Sequence, residues 1–320
     1  MTGLATPTLW SWPTYAGEAI LKLRVELGLS EVLAQALVAR GLTDVSEVEK
    51  FLNPSVDQFH DPRLLPDYDQ AVKAILNAKE TGQQIYVHGD YDVDGVTSTA
   101  LFTRFLKRIG CKVVPHVPHR LREGYGIHLD AVRWAKEQGS EVFLTCDCGV
   151  KAHEQIEAVR EAGMVAVVTD HHAIGETLPE AVAVVNPHRT DSKYPFSELS
   201  GVGVVFKLCA GITQELGLDV NKFYRAYLDL AVLGTVADVM PLIGENRVIT
   251  ALGLQQLQYT RKEGLKALIS VSQLNDVPKF SSRDIGYRLG PRINAVGRID
   301  DPTVALDLLL TEDQDEAMAH

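Results

Sequence analysis

Four short segments of the chain carry acids and imidazoles in a pattern that suits divalent-cation chemistry. His88-Gly89-Asp90-Tyr91-Asp92-Val93-Asp94-Gly95 follows the apolar run Gln84-Ile85-Tyr86-Val87, and Cys146-Asp147-Cys148-Gly149 follows Val142-Phe143-Leu144. Asp170-His171-His172 follows a third apolar run over 165–168, and Asp238 stands just before Met240-Pro241. Hard carboxylate oxygens with some imidazole suit Mn²⁺ or Mg²⁺ better than thiolate-rich sites do. So many carboxylates at one place repel one another unless cations bridge them. Two divalent ions about 3.5–4 Å apart, sharing a carboxylate, would relieve that repulsion and could activate water for attack on phosphorus.

This chemistry requires the segments to converge, and the order of elements says how. Short apolar strands over 84–87, 112–114, 142–144, 165–168 and 182–185 alternate with helical patterns over 96–109, 131–138 and 151–162. Strands that read as continuous apolar runs between helices form a parallel sheet covered on both faces. Ligands in such a sheet lie outside the carboxyl ends of the strands, where the acid-bearing segments fall. Gly95 then lets a helix begin with its N-terminus toward the same cleft, which favours an anion. The expected fold is α/β, a doubly wound, mostly parallel sheet.

A helical lead-in over residues 1–60 precedes the α/β region, 61–245. A helical extension over 246–320 follows, with earlier helices over 204–216 and 222–233. The final stretch, 305–320, reads as a helix that stops without a cap or glycine, so the chain is expected to continue in a parent protein.

Each segment has an ordinary reading too. One Asp-x-Asp-Gly after a strand is usually a turn, and a lone His-His pair is usually surface. The same pattern at three successive strand ends is much harder to assign to turns alone. Cys146 and Cys148 flank Asp147, but alternation points them away from it, as packed thiols. Trp10 and Trp12 read as packing anchors of the lead-in.

Composition sets bounds. The four cysteines have no CxxC spacing and imply a reducing, cytoplasmic setting. No apolar run approaches the roughly 20 residues of a membrane helix, and Met1 to Leu9 lacks a secretory layout. The formal net charge of −11 is unusual for a nucleic-acid binder. Acids that ligate metal are neutralised in the working protein, and a local basic channel can sit on an acidic body.

Asp170-His171-His172 after an apolar strand, with His88-x-x-x-Asp92-x-Asp94 upstream, resembles the DHH phosphoesterase superfamily. The segments 86–95, Glu123-Gly124-Tyr125-Gly126 and 290–298 (Gly-Pro-Arg-Ile-Asn-Ala-Val-Gly-Arg) are similar to its bacterial single-strand exonuclease branch. The likeness runs from about residue 60 to the end. It implies two-metal hydrolysis of single-stranded DNA from the 5′ end, in DNA repair and recombination. The alternative within the superfamily is hydrolysis of short oligonucleotides, cyclic dinucleotides or pyrophosphate.

By the same resemblance His88, Asp92 and Asp147 would hold one ion, and Asp94, Asp147, His171 and Asp238 the other. His172 would face the scissile phosphate as stabiliser or general acid, with Asp90 a further catalytic acid beside the metals. Arg292, Asn294 and Arg298 would contact phosphate, and Arg120 would lie on the DNA path. Planar guanidinium forks suit that role. Relatives of this type continue into a Gly-Gly-His substrate-gripping domain and an oligonucleotide-binding fold, and neither appears in these residues. The expected partners are single-stranded nucleic acid and those C-terminal domains, with no membrane and a monomeric state.

Overall fold

The computed structural model describes residues 17–119, 123–299 and 303–320, with the side chains of 297–299 left out. The chain divides into two compact units, Met1–Ser55 and Val56–His320. The first contains α1 (Gly17–Leu27), α2 (Glu31–Val38) and α3 (Val45–Leu52) around Leu23, Ala34, Leu37 and Val48. Ser30 and Asp44 cap α2 and α3, each side chain accepting from the first-turn amides. Trp10 and Trp12 lie outside the described residues.

The second unit opens with α4 (Tyr68–Thr81) and then alternates β1 (Gln84–His88), α5 (Val93–Arg108), β2 (Lys112–His116), α6 (Leu129–Glu137), β3 (Val142–Cys146), α7 (His153–Glu161), β4 (Val165–Thr169) and β5 (Ala183–Val185). All pairings are parallel and the strand order is β2-β1-β3-β4-β5. The order reverses between β1 and β3, which makes a switch-point crevice at their carboxyl ends. Side chains alternate across the sheet with period two. Ile85, Val87, Leu144 and Val167 pack into the larger core, whereas Tyr86, Phe143, Ala166 and Val168 pack into a second core against α6 and α7. Helices therefore cover both faces, as the apolar strands require.

Helix α5 begins at Val93, earlier than the expected start at Val96. Asp92 acts as its N-cap, its carboxylate accepting from the Gly95 amide at 2.9 Å. Asp94 and Gly95 thus belong to the first helical turn, not to a loop before it.

Helices α8 (Gly201–Glu215), α9 (Val220–Ala237), α10 (Gly244–Gln258) and α11 (Glu263–Val271) follow. Short α12 (Ser282–Asp284) runs into a π-turn, Ile285–Leu289, and then α13 (Gly290–Ile299). The last stretch is not one helix. It breaks into α14 (Thr303–Leu310) and α15 (Gln314–Ala319). Arg104 of α5 donates to the carbonyls of Leu309, Leu310 and Thr311, satisfying the α14 C-terminus. Asp313 then caps α15 through the Glu316 amide.

Close helix contact fixes α14 in place. A Cβ on Gly264 of α11 would fall 1.6 Å from the Leu308 carbonyl oxygen, whereas one on Gly286 would meet nothing within 4 Å. Gly264→Ala is expected to destabilise this unit by about 1–3 kcal/mol, the usual cost of overpacking. Gly286→Ala should change stability by less than about 0.5 kcal/mol. Thermal melts of the two variants check the contrast, and equal midpoints would refute the α11–α14 packing.

Candidate metal centre

The switch-point crevice gathers the acid-bearing segments from separate places in the chain. Three overlapping groups have ligand atoms within 4.8 Å of one another: Asp90, Asp92 and Asp147; Asp94, His171 and Asp238; and Asp147, His171 and His172. Asp147 and His171 each belong to two of them, so the groups form one centre.

Each side chain is placed by local structure. Asp147 follows β3 in a left-handed conformation, φ 61°, which is uncommon for a residue with a side chain. Its amide still bonds the Thr169 carbonyl, so the sheet ladder runs to the edge of the site. The first amides of α8, Gly201 N and Val202 N, donate to the Asp94 carboxylate at 2.6 and 2.9 Å. A helix N-terminus favours such a charge, by up to about 2 kcal/mol in buried geometries. Asp238 is the C-cap of α9. Asp170 accepts from the amides of Val150, His171 and His172 and from His172 Nδ1 at 2.8 Å.

Glycines make room. A Cβ on Gly201 would lie 2.5 Å from Asp147 Oδ1, and one on Gly234 of α9 would lie 2.4 Å from Asp94 Oδ1. Only a hydrogen lets α8 and α9 approach the two carboxylates this closely.

The electrostatics calls for a cation. Burial, then the neighbouring acids, push the Asp94 and Asp147 carboxyls well above their usual range. Burial and then Asp92 raise Asp90 to about 7 and Asp238 to about 6. Burial, then His172, lowers His171 to about 4, leaving its imidazole neutral and available as a ligand. His171 Nε2 approaches Asp147 Oδ1 to 3.0 Å, but without hydrogen-bond geometry, and both atoms are buried with no partner among the described residues. Buried polar atoms are normally satisfied, and two orphans facing one another among like charges fit a divalent ion between them.

His172 has a different character. Its hydrogen bond to Asp170 raises its pKa against the effect of burial, and its side chain is 40% exposed. Burial pushes Asp170 up, but the bonds from His172 and the amides outweigh it and the carboxyl is held low. The pair therefore favours the protonated form of His172 at the mouth of the centre, with Tyr125 Oη 3.3 Å from Nε2.

Of the residues expected from the sequence, Asp92, Asp94, Asp147, His171 and Asp238 converge, and Asp90 joins them as a ligand-range oxygen. His88 does not enter any of the three groups. It ends β1 with Nε2 3.2 Å from the Gly126 carbonyl and its ring against Phe143 and His116, while Nδ1 is buried without a partner among the described residues. Burial and then His116 lower its pKa to about 3. Cys146 and Cys148 are buried in the two separate cores, as packed thiols. Arg292 is exposed on α13 and donates back to the preceding π-turn at Arg288 O, and Asn294 is half-buried with Oδ1 lacking a partner among the described residues. The Arg298 side chain and all of Arg120 lie outside the described residues.

Sequence reading missed Asp170 as the residue that orients both histidines, and it missed Gly201 and Gly234. A glycine inside an otherwise helical pattern, as at Gly234, is the available signal of close approach.

Comparison with known proteins agrees with this geometry. Residues 84–235 match the DHH family, N-terminal domain. The chain is 37% identical over 314 residues to the single-stranded-DNA-specific exonuclease RecJ of Bacillus subtilis, covering 98% of this chain and 39% of the relative. For the Escherichia coli protein of the same name the identity is 36% over 300 residues, covering 90% and 51%. The crystal structure of RecJ from Thermus thermophilus in complex with Mn²⁺ superposes with a TM-score of 0.81 at 32% identity, covering 97% of this chain and 43% of that one. The chain thus spans about two fifths to half of these proteins. The matched residues show that the region over 84–235 belongs to the DHH family, N-terminal domain, within a chain that resembles RecJ over nearly its whole length.

Proposed function

We propose that this chain is the catalytic region of an exonuclease that hydrolyses phosphodiester bonds in single-stranded DNA, working from the 5′ end with two divalent cations, Mn²⁺ or Mg²⁺. The observation that carries this reading is the convergence of five aspartates and His171 at one sheet edge, with buried ligand atoms left unsatisfied among the described residues. The likeness to single-stranded-DNA-specific exonucleases over nearly the whole chain supports the substrate class. Manganese- and magnesium-bound structures of such relatives support the metals. We place the protein in the cytoplasm as a monomer. All four cysteines are free and buried, and no helix among the described residues is long and apolar enough to cross a membrane.

Asp147 is the shared ligand in this reading. Asp90 and Asp92 complete one side, and Asp94, His171 and Asp238 the other. Asp90 takes the place that the resemblance gives to His88, which enters none of the three ligand groups. When bound, two divalent cations supply Lewis-acid polarisation of the phosphodiester and easier ionisation of the attacking water. His172 is held by Asp170 and carries a proton for the charge that develops on the phosphoryl oxygens or the leaving oxygen. Arg292, Asn294, Arg298 and Arg120 are the phosphate-contacting residues that the resemblance implies.

Metal should stabilise the fold by mass action. At free Mn²⁺ near 100 times its dissociation constant the gain is about 2.7 kcal/mol, read as a rise in melting temperature. Asp147→Ala should abolish both the rise and turnover; an unchanged melt of the wild type with millimolar Mn²⁺ would count against the two-ion centre.

His172→Ala should retain bound metal, measured by elemental analysis, yet lose about 10²–10⁴-fold in rate. Loss of an ion in that variant would instead make His172 a ligand. Single strands labelled at one end or the other, digested with Mn²⁺, test substrate and polarity. Release of label from the 3′ end first would refute the stated direction.

A further inference from the structure

The π-turn on the outer side of the helical region holds an unused combination of charge and aromatic surface. Residues 279–298 carry five cations, Lys279, Arg283, Arg288, Arg292 and Arg298, against one acid, Asp284, in a chain whose net charge is −11. Acids at Asp276, Asp300 and Asp301 bound the strip. Asp284 is spent locally, accepting from Ser281 N and Ser281 Oγ in the capping box of α12. Elsewhere Arg24, Arg63, Arg104, Arg133, Arg160 and Arg189 each face a carboxylate. Among the described residues no carboxylate pairs with Arg283, Arg288 or Arg292. Arg288 and Arg292 spend one guanidinium nitrogen each on the carbonyls of Gln273 and Arg288.

The wide turn explains the display. The Gly290 amide reaches back to the Ile285 carbonyl, and Ile285 and Leu289 are both buried in the main core. Between them Tyr287 is forced outward and is 78% exposed. Such π-bulges impose a local cost and tend to occur at functional sites. Arg283, Tyr287 and Arg288 line a surface recess of about 320 Å³ with Asp284. The end of the turn packs by the C-terminus of α9: a Cβ on Gly290 would lie 3.5 Å from the Ala237 side chain, and Ala237 precedes Asp238.

We propose that Tyr287, Arg283 and Arg288 form a remote site for single-stranded nucleic acid, in which a base stacks on the tyrosine ring and the arginines meet the flanking phosphates. The proposal rests on the nuclease reading above and extends its substrate track beyond the residues the family resemblance supplies. Any base offers a π-face, so an exposed aromatic between guanidinium groups binds strands without reading sequence. Arg is suited to both halves of the task, forking onto phosphate and stacking.

The experiment is oligo-dT binding by fluorescence anisotropy in EDTA, where cleavage is stopped, with the full chain and single variants. Tyr287→Ala should weaken binding about 5- to 100-fold, and Tyr287→Phe should restore it, because stacking needs the ring and not the hydroxyl. Arg283→Ala and Arg288→Ala should each flatten the salt dependence by about 0.7 log unit per log unit of salt. The wild-type slope should exceed the roughly −2 that Arg120, Arg292 and Arg298 alone would give. Unaltered affinity in Tyr287→Ala, which would leave the tyrosine to a protein contact or to none, overturns the proposal. So does undetectable wild-type binding at low salt. Wild-type hydrolysis of a dinucleotide with Mn²⁺ is read separately. There the dinucleotide reports only the short-oligonucleotide alternative. Failure of the wild type to digest oligo-dT with Mn²⁺, with the Tyr287 dependence intact, would remove the nuclease reading and leave the strip, whereas digestion with no Tyr287 dependence of binding would overturn the strip alone.

Discussion

The mutual repulsion of Asp90, Asp92, Asp94, Asp147 and Asp238 is the constraint around which the larger unit is organised. Removing one carboxylate from water costs several kcal/mol unless partners replace the lost hydration. Here Asp94 and Asp147 are almost fully buried, side by side, and no lysine or arginine among the described residues pairs with either. Partial compensation comes from the α8 amides on Asp94. The remainder is left open at Asp147 Oδ1 and His171 Nε2. A hydrophobic core tolerates such a deficit only if a ligand with opposite charge makes it up, so folding and cation binding are thermodynamically coupled in this region.

That deficit dictates the packing around it. Helices α8 and α9 must come close enough to shield the acids, yet leave their oxygens accessible from the crevice. Gly201 and Gly234 satisfy the first demand by removing the Cβ that would collide with Asp147 and Asp94. The left-handed backbone at Asp147 and at Val239, next to Asp238, meets the second by turning the chain sharply at the site. Unfavourable φ values at non-glycine residues persist only where the surroundings over-determine them. Of the four such residues among those described, two lie at this centre or beside it.

The sheet was legible because its strands are buried on both faces, and burial on both faces leaves long apolar runs in the sequence. The convergence of Asp92, Asp94, Asp147 and His171 followed from one topological rule about carboxyl ends. Asp238 was noted beside the strand-end acids, but its place as a ligand came only through resemblance, since nothing local distinguishes a helix C-cap acid from a surface one. The start of α5 is hidden in the sequence because Asp92 serves as cap and candidate ligand at once, and a ligand motif looks like a loop. The break after α14 depends on Arg104, some 200 positions earlier, and no local signal announces it. The orienting role of Asp170 is equally hidden, because its partners are amides and a neighbouring ring, which spacing does not reveal. His88 lies outside the three ligand groups. Its spacing to Asp92 fits a ligand, but the aromatic stack of Phe143 and His116 and the Gly126 carbonyl hold its ring.

Charge segregation joins the two halves of this picture. A chain of net −11 with an acidic crevice would repel a polyanion over a Debye length of about 8 Å at physiological salt. Cations in the centre cancel part of that field locally, but they cannot guide a strand that extends well beyond it. Arginines that form ion pairs elsewhere contribute little net field, since their partners cancel them. Those of the α12–α13 segment have no carboxylate partner among the described residues, and a buried Ile285 and Leu289 anchor the turn that presents them. On the proposed reading, attraction at the segment and hydrolysis at the centre would be separate properties of elements that meet where Gly290 packs near Ala237.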